Sequence, residues 1–416
     1  MPFQSDFLRT LDERGFIHQT SDPDGLDARF LAGPVTAYIG FDCTAPSLHV
    51  GSLVQIMLLY WLQQTGNKPI ALMGSGTTRI GDPSGKEETR RILPAEEIEA
   101  NKRSITAGFS RLVKFGGGAN DALMLDNADW LLKLNYVDFL REFGRHFSVN
   151  EMIKRDSVRL RLEREQHLSL LEFNYMVFQA YDFLELFRRH NCILQMGGSD
   201  QWGNIISGAD LARKSDNADL FALTTPLITT SSGAKMGKTA DGAVWINADK
   251  LEPYSYWQYW RNTEDADVGR FLRLFTNLPM SEIVRLEKLQ GAELNEAKIA
   301  LATTATAMMH GPEAANQSAD TARKVFAEGT LDLSLPTILI THSALAGGMG
   351  LLVATVTAGL AESNGEARRH IAGGALRVND KVIEDEKRVL SEADLLPEGV
   401  IKLSVGRKRH VLLKPV

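Results

Sequence analysis

The sequence predicts an α/β protein built on a parallel sheet, with a helical region and a small α+β region behind it. Three observations carry this. Short apolar runs near residues 35–42, 69–73, 123–127 and 192–196 alternate with helix-length segments, the spacing of strands joined by crossover helices. Two of those strands end in glycine-rich polar stretches, Gly74-Ser-Gly76 and Gly197-Gly198-Ser, where ligands bind in open parallel sheets. From residue 248 onward helical patterns dominate, until a short, more basic tail.

Taken in order, residues 5–19 predict an amphipathic helix with Phe7, Leu8 and Leu11 inward, ending near Gly15. Along residues 35–42, Val35, Ala37, Ile39 and Phe41 alternate with Thr36, Tyr38, Gly40 and Asp42, so one strand face is core and the other carries polar groups. Pro46 and Ser47 break the strand and residues 48–62 supply a helix. His49 and Gly51 then fall in its first turn, where unpaired backbone amides attract anions. Gly66-Asn67-Lys68 turns into the next strand, which runs into Gly81-Asp82-Pro-Ser-Gly85-Lys86.

That run satisfies neither dinucleotide nor P-loop patterns. Arg79 stands where GxGxxG needs its last glycine, and Lys86 precedes Glu87 rather than Ser or Thr. Asp82, Lys86 and Arg90 nevertheless stand just beyond a parallel strand. Residues 94–114 read as a helix opening at Pro94 with Glu96 and Glu97 in its first turn. Residues 123–127 read as a strand and 130–147 as mostly helical.

Ser169-Leu-Leu-Glu172 is a capping-box pattern ahead of a helix apolar nearly all round. Within it Tyr175, Gln179 and Asp182 stand at i, i+4 and i+7 on one face, which suits a pocket wall better than three chance polar groups. The next strand leads to Gly197-Gly198-Ser-Asp200-Gln201-Trp-Gly203-Asn204, where the glycines permit close approach and Asp200 can accept from ribose hydroxyls or an amine. A strand over 223–229 and the polar loop Ser231-Ser-Gly-Ala-Lys235-Met-Gly-Lys238-Thr239 follow.

Composition sets the outer limits. The chain has 416 residues, 44% hydrophobic and 24% charged, with net charge −6, enough for two or three domains and against indiscriminate nucleic-acid binding. The start lacks a signal-peptide pattern and no run of about 18 apolar residues marks a membrane span, so a cytoplasmic location is expected. Cys43 and Cys192 have no CxxC spacing or matching His cluster, so neither a disulfide framework nor a metal site is expected. From residue 350 there are 11 Lys plus Arg against 9 Asp plus Glu. Arg368, Arg369, Arg377 and Lys381 cluster in one stretch, and Arg407, Lys408 and Arg409 in another.

Together these motifs resemble the bacterial tyrosyl-tRNA synthetases, class I aminoacyl-tRNA synthetases, over essentially the whole chain. His49-Val-Gly51-Ser52 stands where that family has its HIGH signature, with Ser52 in place of the second histidine. Lys235-Met-Gly-Lys238-Thr239 matches the KMSKS loop. Tyr38-x-Gly40-Phe-Asp42, Gly81-Asp82-Pro-Ser-Gly85-Lys86, Asn174-Tyr175-x-x-x-Gln179-Ala-Tyr-Asp182 and the stretch from Gly197 to Asn204 complete the pattern.

The resemblance implies a Rossmann-like catalytic domain over 1–247, an α-helical anticodon-side domain over 248–328, a linker over 329–349 and an S4-like RNA-binding domain over 350–416. It implies that L-tyrosine is activated with ATP, Mg²⁺ arriving on the nucleotide, and passed to tRNA(Tyr). Thr44, His49, Lys86, Lys235, Lys238 and Thr239 would hold the phosphates. Tyr38 and Asp182 would bind the substrate phenol, Asp82, Tyr175 and Gln179 its ammonium, and Gln201 would also contact the tyrosine. Gly40, Asp42, His49, Gly51, Ser52, Gly198, Asp200 and Lys238 would serve ATP or the adenylate. Arg368, Arg369, Arg377 and Lys381 would contact RNA, and a homodimer would form around residues 130–161. The alternatives are a tryptophan-specific relative and a synthetase-derived RNA-binding protein without catalysis.

Overall fold

The computed structural model describes residues 2–84, 91–233, 236–239, 242–323, 335–396, 398–406 and 409–416, with the backbone alone at 238, 239 and 242. The chain divides into two compact units. One comprises Met1–Lys238, Ala243–Lys250 and Thr263–Ala297, the other Thr239–Gly242, Leu251–Asn262 and Lys298–Val416.

The first unit is organised on a six-stranded sheet of β1 (Gln19–Thr20), β2 (Thr36–Asp42), β3 (Lys68–Gly74), β4 (Leu123–Asp126), β5 (Cys192–Gly198) and β6 (Phe221–Thr225). The strand order is β1-β6-β5-β2-β3-β4, parallel throughout except for β1 against β6. From β2 the chain winds outward through β3 and β4, then returns to place β5 on the other flank of β2. This reversal leaves a crevice at the carboxyl ends of β2 and β5. Both faces of β2 are covered, so Tyr38 is as buried as Ile39, as expected of a parallel sheet between helices. The alternation in the sequence therefore does not separate core from water: Tyr38 packs in the hydrophobic core and also lines the cavity described below.

Helices α1 (Val50–Gln64), α2 (Leu170–His190) and α3 (Trp202–Asp216) flank the sheet. Both halves of the capping box at Ser169 and Glu172 form, and Asn191 ends α2 in the left-handed region at φ 50°. α3 lies close against α2, since a Cβ on Gly208 would stand 3.0 Å from the Phe183 side chain. β6 ends at Thr225, earlier than the strand expected over 223–229. Pro226 follows directly, has no N–H for the ladder and restricts the residue before it.

Residues 263–297 group with the sheet instead of with the helices on either side of them in sequence. Arg14 is one reason. Its guanidinium is buried and donates to the carbonyls of Arg273 (3.1 Å), Thr276 (3.0 Å) and Leu278 (2.6 Å) around the end of α4 (Val268–Phe275). Burial draws its pKa down to about 10.

In the second unit the helices Pro253–Arg261 and Pro312–Arg323 pack together. The C-terminal sheet comprises β7 (Thr337–Ile340), β8 (Leu376–Val378), β9 (Lys381–Val382), β10 (Ile401–Val405) and β11 (Arg409–Pro415), in the order β9-β8-β10-β11-β7. Asn379 and Asp380 join β8 to β9 with φ of 47° and 66°, the two positive values of a type I′ hairpin. α5 (Asn364–Ala372) has Ser363 as its N-cap. β7 pairs parallel with β11, so residues 335–349, expected as linker, are structured with the C-terminal sheet. The glycines and proline there punctuate a strand and the short helix His342–Ala346.

Candidate active site

A cavity of about 340 Å³ opens at the crevice between β2 and β5. Its walls carry Tyr38, Gly40, Asp42, Thr44, Gly51, Ser52, Asp82, Tyr175, Gln179, Asp182, Gly198, Asp200 and Gln201, residues that come from five separate stretches of sequence.

Asp182, 2% exposed on α2, is held from both sides. Trp130 Nε1 donates to Oδ1 at 2.7 Å and Asn127 Nδ2 donates to Oδ2 at 2.9 Å. Burial nevertheless pushes its pKa up to about 8, against the pull of these two donors. Beside it the Tyr38 hydroxyl is buried and finds no hydrogen-bond partner among the described residues. Its pKa is raised well above the phenol value, first by burial and then by Asp182, so it stays a neutral O–H. A buried polar group without a partner costs free energy, and here it stands next to a carboxylate in a cavity.

Further along the face of α2, the Tyr175 hydroxyl donates to Asp42 Oδ2 at 3.0 Å, and Thr77 Oγ1 donates to Asp42 Oδ1 at 2.7 Å. Burial and then the Asp42 charge keep Tyr175 protonated. Gly74 permits this junction, because a Cβ there would lie 2.3 Å from Asp42 Oδ1. Asp82 accepts from the Ser84 amide and from Gln201 Nε2, both at 2.8 Å. Asn204 Nδ2 donates to Gln179 Oε1 at 3.0 Å and to Gln201 Oε1 at 3.2 Å. Hydrogen bonds thus join Asp182, Asn127, Thr77, Asp42 and Tyr175 in one cluster, and Asp82, Gln201, Asn204 and Gln179 in another.

At the start of α1 the arrangement departs from the expected row of unpaired amides. His49 is the N-cap, and its Nδ1 accepts the Gly51 N–H at 3.0 Å. Val50 N–H goes to the Val244 carbonyl at 2.9 Å and Ser52 N–H to the His49 carbonyl at 2.8 Å. These amides are satisfied internally, so any anion contact falls to side chains. A neutral imidazole accepting at Nδ1 carries its proton on Nε2, a donor. Met236 and Gly237 pack on this turn. A Cβ on Gly51 would meet the Met236 carbonyl at 2.7 Å, and one on Gly237, at φ 85°, would meet His49 Nδ1 at 2.6 Å.

His49 therefore stands beside the cavity, not in its wall. Lys86 and Lys235 lie outside the described residues, as do Arg90, Arg407 and Lys408, and Lys238 and Thr239 are described only by their backbone. In the second unit Arg368, Arg369 and Lys381 are exposed and Arg377 is half-buried. Arg368 pairs with Glu386 at 3.4 Å.

Several functional neighbours escaped the sequence reading. Thr77, Asn127 and Trp130 each bond to a pocket carboxylate, yet they follow strands β3 and β4 without any motif beyond position. Gln55 donates to Thr225 Oγ1 at 3.0 Å and Gln195 sits on β5. Both line the cavity with a buried amide oxygen that has no partner among the described residues. Their signal was a polar residue inside an otherwise apolar helix or strand.

Comparison with known proteins shows the family. Residues 31–327 match the family model described as tRNA synthetases class I (W and Y), and residues 335–413 match the tyrosine–tRNA ligase SYY-like C-terminal domain. The tyrosine–tRNA ligase of Nitrobacter winogradskyi is 64% identical over 413 residues, 99% of each chain. That of Rhizobium meliloti is 61% identical over 414 residues, 100% of this chain and 99% of its own. The crystal structure of a C-terminally truncated Aspergillus nidulans mitochondrial tyrosyl-tRNA synthetase superposes with a TM-score of 0.70 at 30% identity, covering 78% of this chain and 95% of that one. A tryptophanyl-tRNA synthetase from Encephalitozoon cuniculi shares the fold, at 12% identity over 75% of this chain and 87% of its own, with a TM-score of 0.55. With a family model covering most of its length and relatives above 60% identity from end to end, the chain belongs to the class I aminoacyl-tRNA synthetases, in the tyrosine–tRNA ligase family.

Proposed function

We propose that the chain activates L-tyrosine with MgATP and transfers the tyrosyl group to tRNA(Tyr). The observation that carries the tyrosine reading is the buried, unpartnered Tyr38 hydroxyl beside the doubly held Asp182 carboxylate. A substrate phenol placed between them donates to Asp182 and takes the Tyr38 hydroxyl hydrogen, satisfying every group. Phenylalanine would leave the buried Tyr38 hydroxyl unpaired and bring Asp182 no hydroxyl to accept from, and tyrosine-specific members of this family are themselves the reference case of discrimination on that ground. Tryptophan offers an N–H of different reach.

In the first step an oxygen of the tyrosine carboxylate attacks the α-phosphorus, the bond to the bridging oxygen breaks, and pyrophosphate leaves. In the second, a terminal ribose hydroxyl of the tRNA attacks the carbonyl carbon and AMP leaves. No covalent enzyme intermediate is required, so catalysis consists of alignment and stabilisation of phosphate charge. The ammonium of the substrate would sit among Asp82, Tyr175 and Gln179. Tyr175 can accept there while still donating to Asp42, since a phenol oxygen has lone pairs to spare. Gln201, Asp42, Asp200, Gly40, Gly51, Ser52 and Gly198 would serve the adenylate and the tyrosine backbone. Thr44, His49 through Nε2, Lys86, Lys235, Lys238 and Thr239 would take the phosphates, and Mg²⁺ enters with the nucleotide. A serine at position 52 still offers one hydroxyl donor.

The 350–416 region would bind tRNA through Arg368, Arg369, Arg377 and Lys381, by backbone contacts of the kind basic side chains make. Two subunits would associate through the segment around 130–161, where Tyr136, Val137, Val149, Ile153 and Leu160 are exposed. A cytoplasmic setting completes the reading.

ATP–pyrophosphate exchange tests it. Exchange should run with tyrosine and fall away with tryptophan and phenylalanine, and Asp182→Ala should weaken that preference far more than it lowers the unfolding midpoint. Exchange with tryptophan alone would support the tryptophan-specific reading, and exchange with none of the three would leave an RNA-binding protein. Removing residues 350–416 should abolish charging while leaving exchange intact.

A further inference from the structure

The segment that carries Lys235 and Lys238 leaves β6 through Pro226, and its first residues are held by one short stretch of chain before and within α4. Ser231 Oγ donates to Glu264 Oε2 at 2.6 Å, and Ser232 Oγ donates to Glu264 Oε1 at 2.8 Å. The Ser231 amide donates to Asp267 Oδ2 at 2.7 Å. Arg270 donates to Asp267 Oδ1 at 2.8 Å and also to the Thr229 carbonyl. Thr230 Oγ1 and Ser232 Oγ lie 2.9 Å apart. Four consecutive residues are therefore bound, three of them directly, by Glu264, Asp267 and Arg270.

Glu264 is the telling member. It stands at the N-cap position of the turn Asp265–Asp267, yet its side chain makes no capping bond to that turn. Instead its two oxygens take two neighbouring hydroxyls. A carboxylate engaged in this way restricts both serine rotamers and the backbone between them, and charge-assisted bonds of this type are stronger than neutral ones. The far arm is held differently. The Val244 N–H donates to the Gly237 carbonyl at 3.0 Å, and the Val50 N–H donates to the Val244 carbonyl, so that arm is tied by backbone bonds to the turn of His49. The near arm is held by these side-chain bonds at the surface, above the buried Asp267, as well as by backbone bonds from the Gly233 N–H to the Thr230 carbonyl at 2.8 Å and from the Met236 N–H to the Ile228 carbonyl at 3.3 Å.

We propose that Glu264 is a positioning residue for ATP use, acting through Ser231 and Ser232 at the base of the lysine-bearing segment. It touches neither substrate. It would set the register in which that segment leaves the sheet, and so the effectiveness of groups that meet the triphosphate. The inference rests on the reading that this segment serves the phosphates.

The test is ATP–pyrophosphate exchange by the full-length chain. Glu264→Ala should lower kcat/KM for ATP by roughly 5- to 30-fold, the scale of losing one or two charge-assisted surface hydrogen bonds, with tyrosine affinity in the absence of ATP and the unfolding midpoint unchanged. The Ser231→Ala/Ser232→Ala variant should show a similar loss, and adding Glu264→Ala to it should cost nothing further, because all three changes remove the same contact. Glu264→Gln, which keeps an acceptor oxygen, should recover part of the loss. Unchanged kcat/KM for ATP in Glu264→Ala, or independent losses in the combined variant, would overturn the proposal. Lys238→Ala separates it from the reading beneath it. Loss in Lys238→Ala with none in Glu264→Ala removes the clasp alone, whereas no loss in Lys238→Ala removes the phosphate role and the clasp with it.

Discussion

Trp130 Nε1 lies 2.7 Å from Asp182 Oδ1 and donates its only N–H to it. The indole comes from the short helix Ala128–Leu131, just after β4, and the carboxylate from the middle of α2. Asn127 holds the other oxygen and itself accepts the Gly76 amide at 2.8 Å. The orientation of the Asp182 carboxylate, the group we propose for the substrate phenol, is thus decided by the turn after β4.

Trp130→Phe keeps most of the ring and removes the N–H. Asp182 loses a bond that favours its ionised form, so tyrosine affinity should fall by roughly 10- to 100-fold, the worth of a hydrogen bond to a charged group. Equilibrium dialysis against tyrosine measures it. An unchanged dissociation constant would mean that the indole only fills space.

The pKa of Asp182, pushed up to about 8 by burial, gives a pH signature. In the proposed complex the ionised carboxylate accepts the phenol hydrogen, so tyrosine should bind more tightly as pH rises from 6 through 8 and level off above. Stability of the free protein runs the other way. The folded state keeps a proton that the unfolded chain has released above the ordinary carboxylate pKa. This contribution is full below that value and is lost as pH rises to about 8. Calorimetry between pH 5 and 8 should find both trends weakened in Asp182→Asn, and identical slopes in the two proteins would refute the assignment.

Arg161 and Glu172 form an ion pair at 3.3 Å with side chains only 3% and 2% exposed, and Glu172 also closes the capping box that starts α2. Arg161→Met leaves a buried carboxylate without its cation, which costs about 3–5 kcal/mol in comparable pairs. Urea unfolding should register a loss of that size, largely restored when Glu172→Leu is added. A loss below about 1 kcal/mol would show that water reaches the site.

Val137 and Val149 are 70% and 61% exposed on the segment we propose for self-association. Burying a charge in such an apolar contact is unfavourable. Val137→Glu should therefore convert a dimer at micromolar concentration to a monomer in sedimentation velocity, with the fold kept. If the unaltered chain already sediments as a monomer there, the face has another role.

Local pattern was enough for much of this architecture, because side-chain direction repeats every 2 residues in a strand and every 3.6 in a helix. That periodicity put Tyr175, Gln179 and Asp182 on one face and set Tyr38 apart from Ile39 and Phe41 on β2, while residue types alone marked the capping box at Ser169. It did not say what those faces would meet. Tyr175 donates to an aspartate 133 positions away and Trp130 to one 52 away, and nothing in the intervening sequence encodes either pairing. The same holds for β7, whose partner is the last strand of the chain, and for His49, whose ring takes the amide that a helix start would otherwise offer to an anion. Which residue types stand on which face of which element is local information, legible along the chain. Which distant donors satisfy them is not, since buried polar groups find partners through packing in space rather than proximity along the chain.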